Sequence, residues 1–169
     1  MPPTIRPAAE ADLEAMNAIY NREVREGIAT WELDEWSSEQ RLDWFRARDK
    51  QEPVLVAEQD GKVIGFAYLS AYRGRRGYRF TREDTIWINH AYHRQGVGRA
   101  LIAALIEAAR ALDVHVIVAV IDEDNPGSIA LHRGFGFQQV GNERETGHKF
   151  GQWRSSVELT LVLDPGGTR

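Results

Sequence analysis

The sequence contains no cysteine, and that absence removes several chemistries at once. There is no disulfide framework, no thiolate-ligated zinc or iron–sulfur site and no thiol nucleophile. Lysine is scarce as well: of 21 basic side chains only Lys50, Lys62 and Lys149 are lysines, and the other 18 are arginines. A basic excess is also missing, because 25 Asp and Glu leave a net charge of −4. A general nucleic-acid binder needs a positive surplus for phosphate contacts and is excluded on that ground. Long apolar runs are absent too. The longest, around residues 114–121, falls far short of the ~20 residues of a spanning helix, and the opening MPPTIRPAAEADLEAM lacks the apolar core of a secretory leader. The expectation is a cytoplasmic protein with neither membrane nor nucleic-acid partners.

What is present suits one globular unit. A chain of 169 residues, 43% hydrophobic and 27% charged, is long enough to bury a core without staples. No repeat or low-complexity linker divides it, so residues 1–164 read as a single domain and 165–169, Pro-Gly-Gly-Thr-Arg, as a tail.

The hydrophobic period changes along the chain. Residues 4–7 read as a short strand. From Ala11, Leu13, Met16, Ile19 and Tyr20 recur at helical spacing. Ser37 and Gln40 form a capping-box pattern ahead of Leu42, Trp44 and Phe45, which predicts a second helix. Residues 54–58 and 63–70 are apolar runs separated by Asp60-Gly61, a hairpin signal, and 85–89 reads as a third strand. Residues 98–112 carry Leu101, Ile102, Leu105, Ile106, Ala109 and Leu112 on one helical face. Residues 115–121 are β-branched and read as a buried strand. Asn125-Pro126 pairs a good N-cap with proline at the first helical position; that helix ends near Gly134 and Gly136. Residues 137–140 and 157–163 read as closing strands. The order β-α-α-β-β-β-α-β-α-β-β predicts a mixed α/β fold.

The motif His93-Arg94-Gln95-Gly96-Val97-Gly98-Arg99 lies between a strand and the most amphipathic helix. Glycines admit a phosphate close to the backbone, and a helix start offers free N–H groups and positive dipole. The pattern is not a Walker loop, since GxxxxGK[ST] is absent, nor a dinucleotide fingerprint, since Leu101 replaces its third glycine. A second cluster, Arg73, Arg75, Arg76, Arg79 and Arg82, puts five arginines into ten residues with no acid among them, a pattern suited to an anion. Asp122, Glu123 and Asp124 lack a matching histidine pair, so they read as a solvated loop and no metal site is expected.

At His93–Gly98 the chain resembles the GCN5-related N-acetyltransferase superfamily, whose [Q/R]-x-x-G-x-[G/A] pattern binds the pyrophosphate of acetyl-CoA through backbone amides. His93 departs from the usual Gln or Arg. The resemblance continues through VAVIDEDNPGSIALHRGFGF, where Asn125 and Ser128 match cofactor-contacting positions. Tyr20-Asn21, Ala29-Thr30-Trp31, Gly77-Tyr78-Arg79, Glu83 and His148-Lys149-Phe150-Gly151-Gln152-Trp153 liken it most to the phosphinothricin and methionine sulfoximine acetyltransferases.

The resemblance implies a central, mostly antiparallel mixed sheet flanked by helices, acetyl-CoA as cosubstrate, no metal, and a homodimer. It assigns cofactor binding to Trp87, Ile88, Asn89, His93, Arg94, Gln95, Gly96, Val97, Gly98, Arg99, Asn125 and Ser128. On the backbone of Trp87–Asn89 it places the donor for the thioester carbonyl. Glu83 would be the base that frees the amine; on spacing alone it reads equally as a surface glutamate paired with Arg79 or Arg82. His132 stands where many members carry a Tyr that protonates the departing thiolate, and it also reads as a packed structural histidine. Trp31, Arg73, Tyr78, Arg79, Thr81 and Glu83 are the candidate acceptor-binding residues. The alternatives are an acyl-CoA-binding sensor without catalysis, or an acetyltransferase for a protein N-terminus or an aminoglycoside.

Overall fold

The computed structural model describes residues 2–163, so the predicted tail at 165–169 lies outside the described residues. Seven strands form one sheet in the order β1-β2-β3-β4-β5-β7-β6. In chain order these are β1 (Thr4–Pro7), β2 (Val54–Gln59), β3 (Lys62–Ala71), β4 (Thr81–Ile88), β5 (Val116–Asp122), β6 (Gln138–Lys149) and β7 (Gln152–Val162). The helices are α1 (Leu13–Glu26), α2 (Ser38–Arg46), α3 (Val97–Ala111) and α4 (Pro126–Arg133). Every pairing is antiparallel except β4 with β5. This is the mixed, mostly antiparallel sheet that the resemblance implied. Among the described residues no helix is long and apolar enough to cross a membrane.

Alternation along the strands builds two cores. Leu55, Ala57, Ala67, Leu69, Ile117, Ala119 and Ile121 pack beneath Leu101, Ile102, Leu105 and Ile106 of α3. Val54, Val56, Phe66 and Trp87 face the other way, against Leu13, Met16, Tyr20 and Val24 of α1. Ile64 breaks the alternation: Ala57 pairs with Gly65 and Glu58 with Val63, leaving Ile64 as the extra residue of a bulge. The bulge turns Ile64 into the α3 core, and its carbonyl accepts Asn89 N–H at 2.9 Å, fixing the end of β4.

The Ser37–Gln40 capping box is formed: Gln40 N–H donates to Ser37 Oγ (3.1 Å) and Ser37 N–H to Gln40 Oε1 (2.8 Å). Helix α2 carries one surprise, Arg41, which is 1% exposed. Its guanidinium sits 4.4 Å from the Trp36 ring centroid, 4.8 Å from Tyr20 and 4.9 Å from Trp44, with Nε donating to Asn17 Oδ1. Aromatic faces replace water around this charge.

Three strands differ in extent from the sequence reading. Strand β4 begins at Thr81 rather than 85, because Arg82 and Asp84, both buried, satisfy their charges inside the fold. Arg82 donates to the Gln51 carbonyl, the Gln51 side chain and the carbonyls of Arg79 and Thr81. Glu83 therefore lies within a strand instead of ahead of one. Strands β6 and β7 form a long hairpin through Phe150 (φ 52°) and Gly151 (φ 73°), where the sequence reading gave only short closing strands. β6 is a sheet edge, exposed on most of its length, so it carries no apolar alternation to read.

Gly65 should tolerate no side chain. A Cβ there would stand 2.9 Å from the Trp87 carbonyl oxygen and 3.3 Å from Val97 and Leu101. Gly65→Ala is expected to cost about 1–3 kcal/mol of stability, read as a lower urea midpoint at unchanged m-value.

Candidate active site

The parallel ladder between β4 and β5 is short. It covers Thr81–Val116, Arg82–Ile117 and Glu83–Val118 and then stops, while β4 stays paired to β3 as far as Ile88 and β5 to β7 as far as Asp122. The two strands therefore part, and a cavity of about 880 Å³ occupies the gap. Its lining comes from both sheet faces: Tyr20, Trp31 and Trp87 from the α1 side, Val97, Leu131 and His132 from the α3–α4 side.

The free edge of β4 offers backbone groups to this slot. Asn89 N–H is already bound to Ile64 O, and the Trp87 carbonyl faces Gly65. Because backbone groups alternate in direction along a strand, Ile88 N–H turns toward the slot. The Ile88 carbonyl accepts His93 Nε2–H at 3.1 Å, which ties the glycine turn to the strand.

That turn ends in a helix N-terminus without a side-chain cap. Gly96 is the N-cap residue at φ 84°, and Arg94 adopts φ 59°. The first N–H groups of α3 thus point toward the cavity, where Arg94, Gly96, Val97, Gly98 and Arg99 contribute to the lining. Gly98 permits the close approach of three elements: a Cβ would lie 3.0 Å from both Ile88 Cδ1 and Leu131 Cδ2. Asn125 caps α4 by accepting Ser128 N–H at 3.1 Å, and both residues line the same cavity. Asn89 and Gln95 do not; Asn89 Oδ1 caps the turn at Ala91 and Gln95 donates to the Ala91 carbonyl.

Strand alternation separates the two candidate catalytic groups. Glu83 is half-buried in the cavity wall, with no ion pair among the described residues. Neither arginine weighed as its partner reaches it: Arg79 stacks on Phe80 (4.3 Å) and Arg82 bonds Gln51. Burial pushes the Glu83 carboxyl above its ordinary value, and the charges of Asp84 and Glu158 push in the same direction.

Asp84 projects to the opposite face, where its Oδ2 meets His132 Nε2 at 3.1 Å. His132 Nδ1 donates to the Ser128 carbonyl at 2.7 Å. With an acceptor at each ring nitrogen, the imidazolium is the form that satisfies both contacts. Burial pulls His132 down, but the hydrogen bond and charge of Asp84, helped by the Ser128 carbonyl, outweigh it and raise the net value. Asp84 escaped the sequence reading; its only signal was its place one residue after Glu83, hence on the other face.

Asp122 corrects the expectation of a solvated acidic loop. Its side chain is 1% exposed and accepts from Arg154 Nε (2.8 Å) and Nη2 (2.5 Å), Trp31 Nε1 (2.8 Å) and Asp124 N–H (2.9 Å). Burial opposes its charge, yet these bonds hold it below the usual carboxylate range. Among the described residues no cluster of three or more ligating side chains could hold a metal.

The candidate acceptor residues divide. Trp31 and Glu83 line the cavity; Arg73, Tyr78, Arg79 and Thr81 do not. Arg73 stacks on Tyr72 (4.7 Å) and Tyr78 (5.4 Å), and Tyr72 Oη donates to Glu158 Oε1 at 2.9 Å. Tyr68, Glu23, His90 and Val120, none singled out in the sequence, complete the wall near Trp31.

The His132 charge makes a prediction about stability. Its raised folded value means that the contribution is complete below the ordinary value of about 6.5 and is lost as pH rises through the folded value. Denaturant titrations should therefore show wild-type stability falling across that window, with the slope absent in His132→Gln.

Comparison with known proteins supplies the context. Residues 13–137 match the family model described as Acetyltransferase (GNAT) family. An L-methionine sulfoximine/L-methionine sulfone acetyltransferase from Pseudomonas paraeruginosa is 40% identical over 167 residues, covering 98% of this chain and 97% of its own. A phosphinothricin N-acetyltransferase from Alcaligenes faecalis is 38% identical over 167 residues, covering 98% and 85%. The solved structure of a putative acetyltransferase from Salmonella typhimurium with its cofactor acetyl-CoA matches at a TM-score of 0.94 and 36% identity, over 99% of this chain and 98% of that one.

Proposed function

Because the chain belongs to the GNAT family of acetyltransferases, we propose that it acetylates the amine of a small amino acid of the methionine sulfoximine, methionine sulfone or phosphinothricin type, with Glu83 as base. It is an N-acetyltransferase, and its cosubstrate is acetyl-CoA.

The site fits that cosubstrate on its own geometry. The uncapped start of α3, with Arg94 and Arg99 beside it, suits a pyrophosphate. The unpaired edge of β4 suits a chain bearing amides, and the slot leads from one to the other. When bound, acetyl-CoA supplies a thioester whose acyl carbon accepts the amine and whose thiolate departs.

The observation that carries the reading is Glu83: a carboxylate with no ion pair among the described residues, on the wall of the slot that also holds the α3 N-terminus. Its raised proton affinity matches it to an ammonium, from which it takes the proton that blocks attack. Ile88 N–H serves as the backbone donor where carbonyl charge develops. His132, held as an imidazolium between Asp84 and Ser128, places positive charge on the thiolate side of the sheet. Arg73, stacked on Tyr72 and Tyr78 outside the cavity lining, is proposed to draw the acceptor's carboxylate or sulfone oxygens toward the site. It is supported by the Tyr72–Glu158 bond, since Glu158 acts electrostatically on Glu83.

We propose further that the protein works in the cytoplasm as a homodimer. Val140, Phe150, Trp153 and Val162 expose 61, 57, 67 and 60% of their surface along the β6–β7 hairpin, an apolar set unusual for a solvated edge. A monomeric mass in analytical ultracentrifugation would refute that part.

Thiol release measured with methionine sulfone, methionine sulfoximine, phosphinothricin and aromatic amines tests the acceptor class, at saturating acetyl-CoA. Release with the first three supports the proposal; acetyl-CoA binding without release across the panel would favour a sensor module instead. Glu83→Gln is expected to lower kcat by about 10²–10⁴-fold while the Kd for acetyl-CoA stays unchanged. Undiminished turnover would remove Glu83 from the mechanism.

A further inference from the structure

Trp31 stands on the loop between α1 and α2, yet contacts with β5, with the backbone of β6 and, through the neighbouring Thr30, with Lys149 fix its place. Its indole Nε1–H donates to Asp122 Oδ2, and Asp122 is itself gripped by Arg154 of β7. Its six-membered ring lies on the backbone of β6 at Gly147, where a Cβ would come within 2.3 Å of Cε3 and 2.6 Å of Cζ3. The third hold is Lys149, the last residue of β6, which is 2% exposed. Its Nζ donates to the Thr30 carbonyl at 2.7 Å and the Glu23 carbonyl at 3.3 Å.

Lys149 is unusual in what it lacks. A lysine on a hairpin normally extends its stem and leaves the ammonium in water. Here the ammonium is buried, and the two hydrogen bonds it makes run to neutral backbone carbonyls. Burying a charge is costly unless hydrogen bonds replace its hydration, so this side chain is committed to the segment it binds. That segment, residues 27–31, forms one wall of the cavity. Glu23 reinforces it from α1, accepting Ala29 N–H at 3.0 Å while its other oxygen pairs with His90 at 3.0 Å.

We infer that Lys149 is a positioning residue for acceptor selectivity: by holding residues 27–31 it fixes the Trp31 indole as a rigid wall for the acceptor side chain. The inference rests on the proposed acceptor site beside Glu83 and extends it: Trp31, which lines the cavity, is set in place by Lys149 and Gly147, which do not line it. A rigid apolar wall separates ligands differing by one methylene by about 10- to 200-fold, and a wall free to move forfeits that discrimination.

The test compares Lys149→Met, Lys149→Arg and Gly147→Ala with wild type. Three readouts are taken: kcat/KM for amino-acid acceptors whose side chains differ by one methylene, the KM for acetyl-CoA, and hydrogen exchange of the Trp31 indole N–H. That NMR signal is identified by its loss in Trp31→Phe. Lys149→Met and Gly147→Ala should each raise the acceptor KM about tenfold and flatten the preference among acceptors, with the KM for acetyl-CoA unchanged. Indole exchange should accelerate in both, and Lys149→Arg should restore part of each effect. Gly147→Ala presses on the indole directly and removes no polar group of Lys149, so it decides whether a displaced Trp31 costs selectivity if Lys149→Met does not fold.

Faster indole exchange with selectivity intact would overturn the inference, as would a KM for acetyl-CoA rising in step with the acceptor's. Unchanged exchange would overturn it as well. If wild type acetylates none of the series, the acceptor reading itself fails, while the exchange measurement still decides whether Lys149 fixes Trp31.

Discussion

Three residue pairs, Thr81–Val116 through Glu83–Val118, are the whole ladder between β4 and β5, and the site exists because that ladder stops. A continuous sheet would satisfy the backbone of β4 beyond Glu83 and leave nothing for a ligand to pair with. The bulge at Ile64 and the bond from Asn89 N–H to its carbonyl keep β4 on β3 while its other edge stays open. The same break makes room for the glycine turn before α3, which Gly98 allows to close onto Ile88 and Leu131. The uncapped start of α3, the free strand edge and the placement of Glu83 on the cavity wall all follow from one shortened pairing.

The charges around the slot are arranged by strand alternation. Glu83 and Asp84 are neighbours in sequence and occupy opposite faces, so one stays unpaired while the other is neutralised by His132. Exchanging their environments would reverse their roles: a carboxylate bound to an imidazolium makes a poor base, and an unpaired one would not hold α4 against the sheet. Arg41 and Lys149 show that the fold buries cations elsewhere without salt bridges, using aromatic rings in one case and carbonyls in the other.

Periodicity and punctuation made much of this legible. The helices announced themselves through apolar spacing, the Ser37–Gln40 box and Asn125-Pro126, and the element order followed. The start of β4 did not, because its inward-facing residues are Arg82 and Asp84, whose partners Gln51 and His132 lie 31 and 48 residues away in the chain. Asp122 looked solvated for the same reason: its partner Arg154 is 32 residues distant. The long hairpin was hidden by its exposure, since an edge strand has no buried face to impose alternation. At the site, the glycine turn and α4 cap could be read locally. The Asp84–His132 pair and the seating of Trp31 depend on contacts between distant segments, which one-dimensional spacing does not encode.

The slot lies between two strands and is lined from both sides of the sheet. On the proposed reading, a thioester held from the α3 side and a small amine held from the Trp31 side would meet at the level of Glu83 from opposite faces of the sheet. On that proposal one complex holds both partners together, with the acyl group handed across the sheet in one step and no residence on the protein between them.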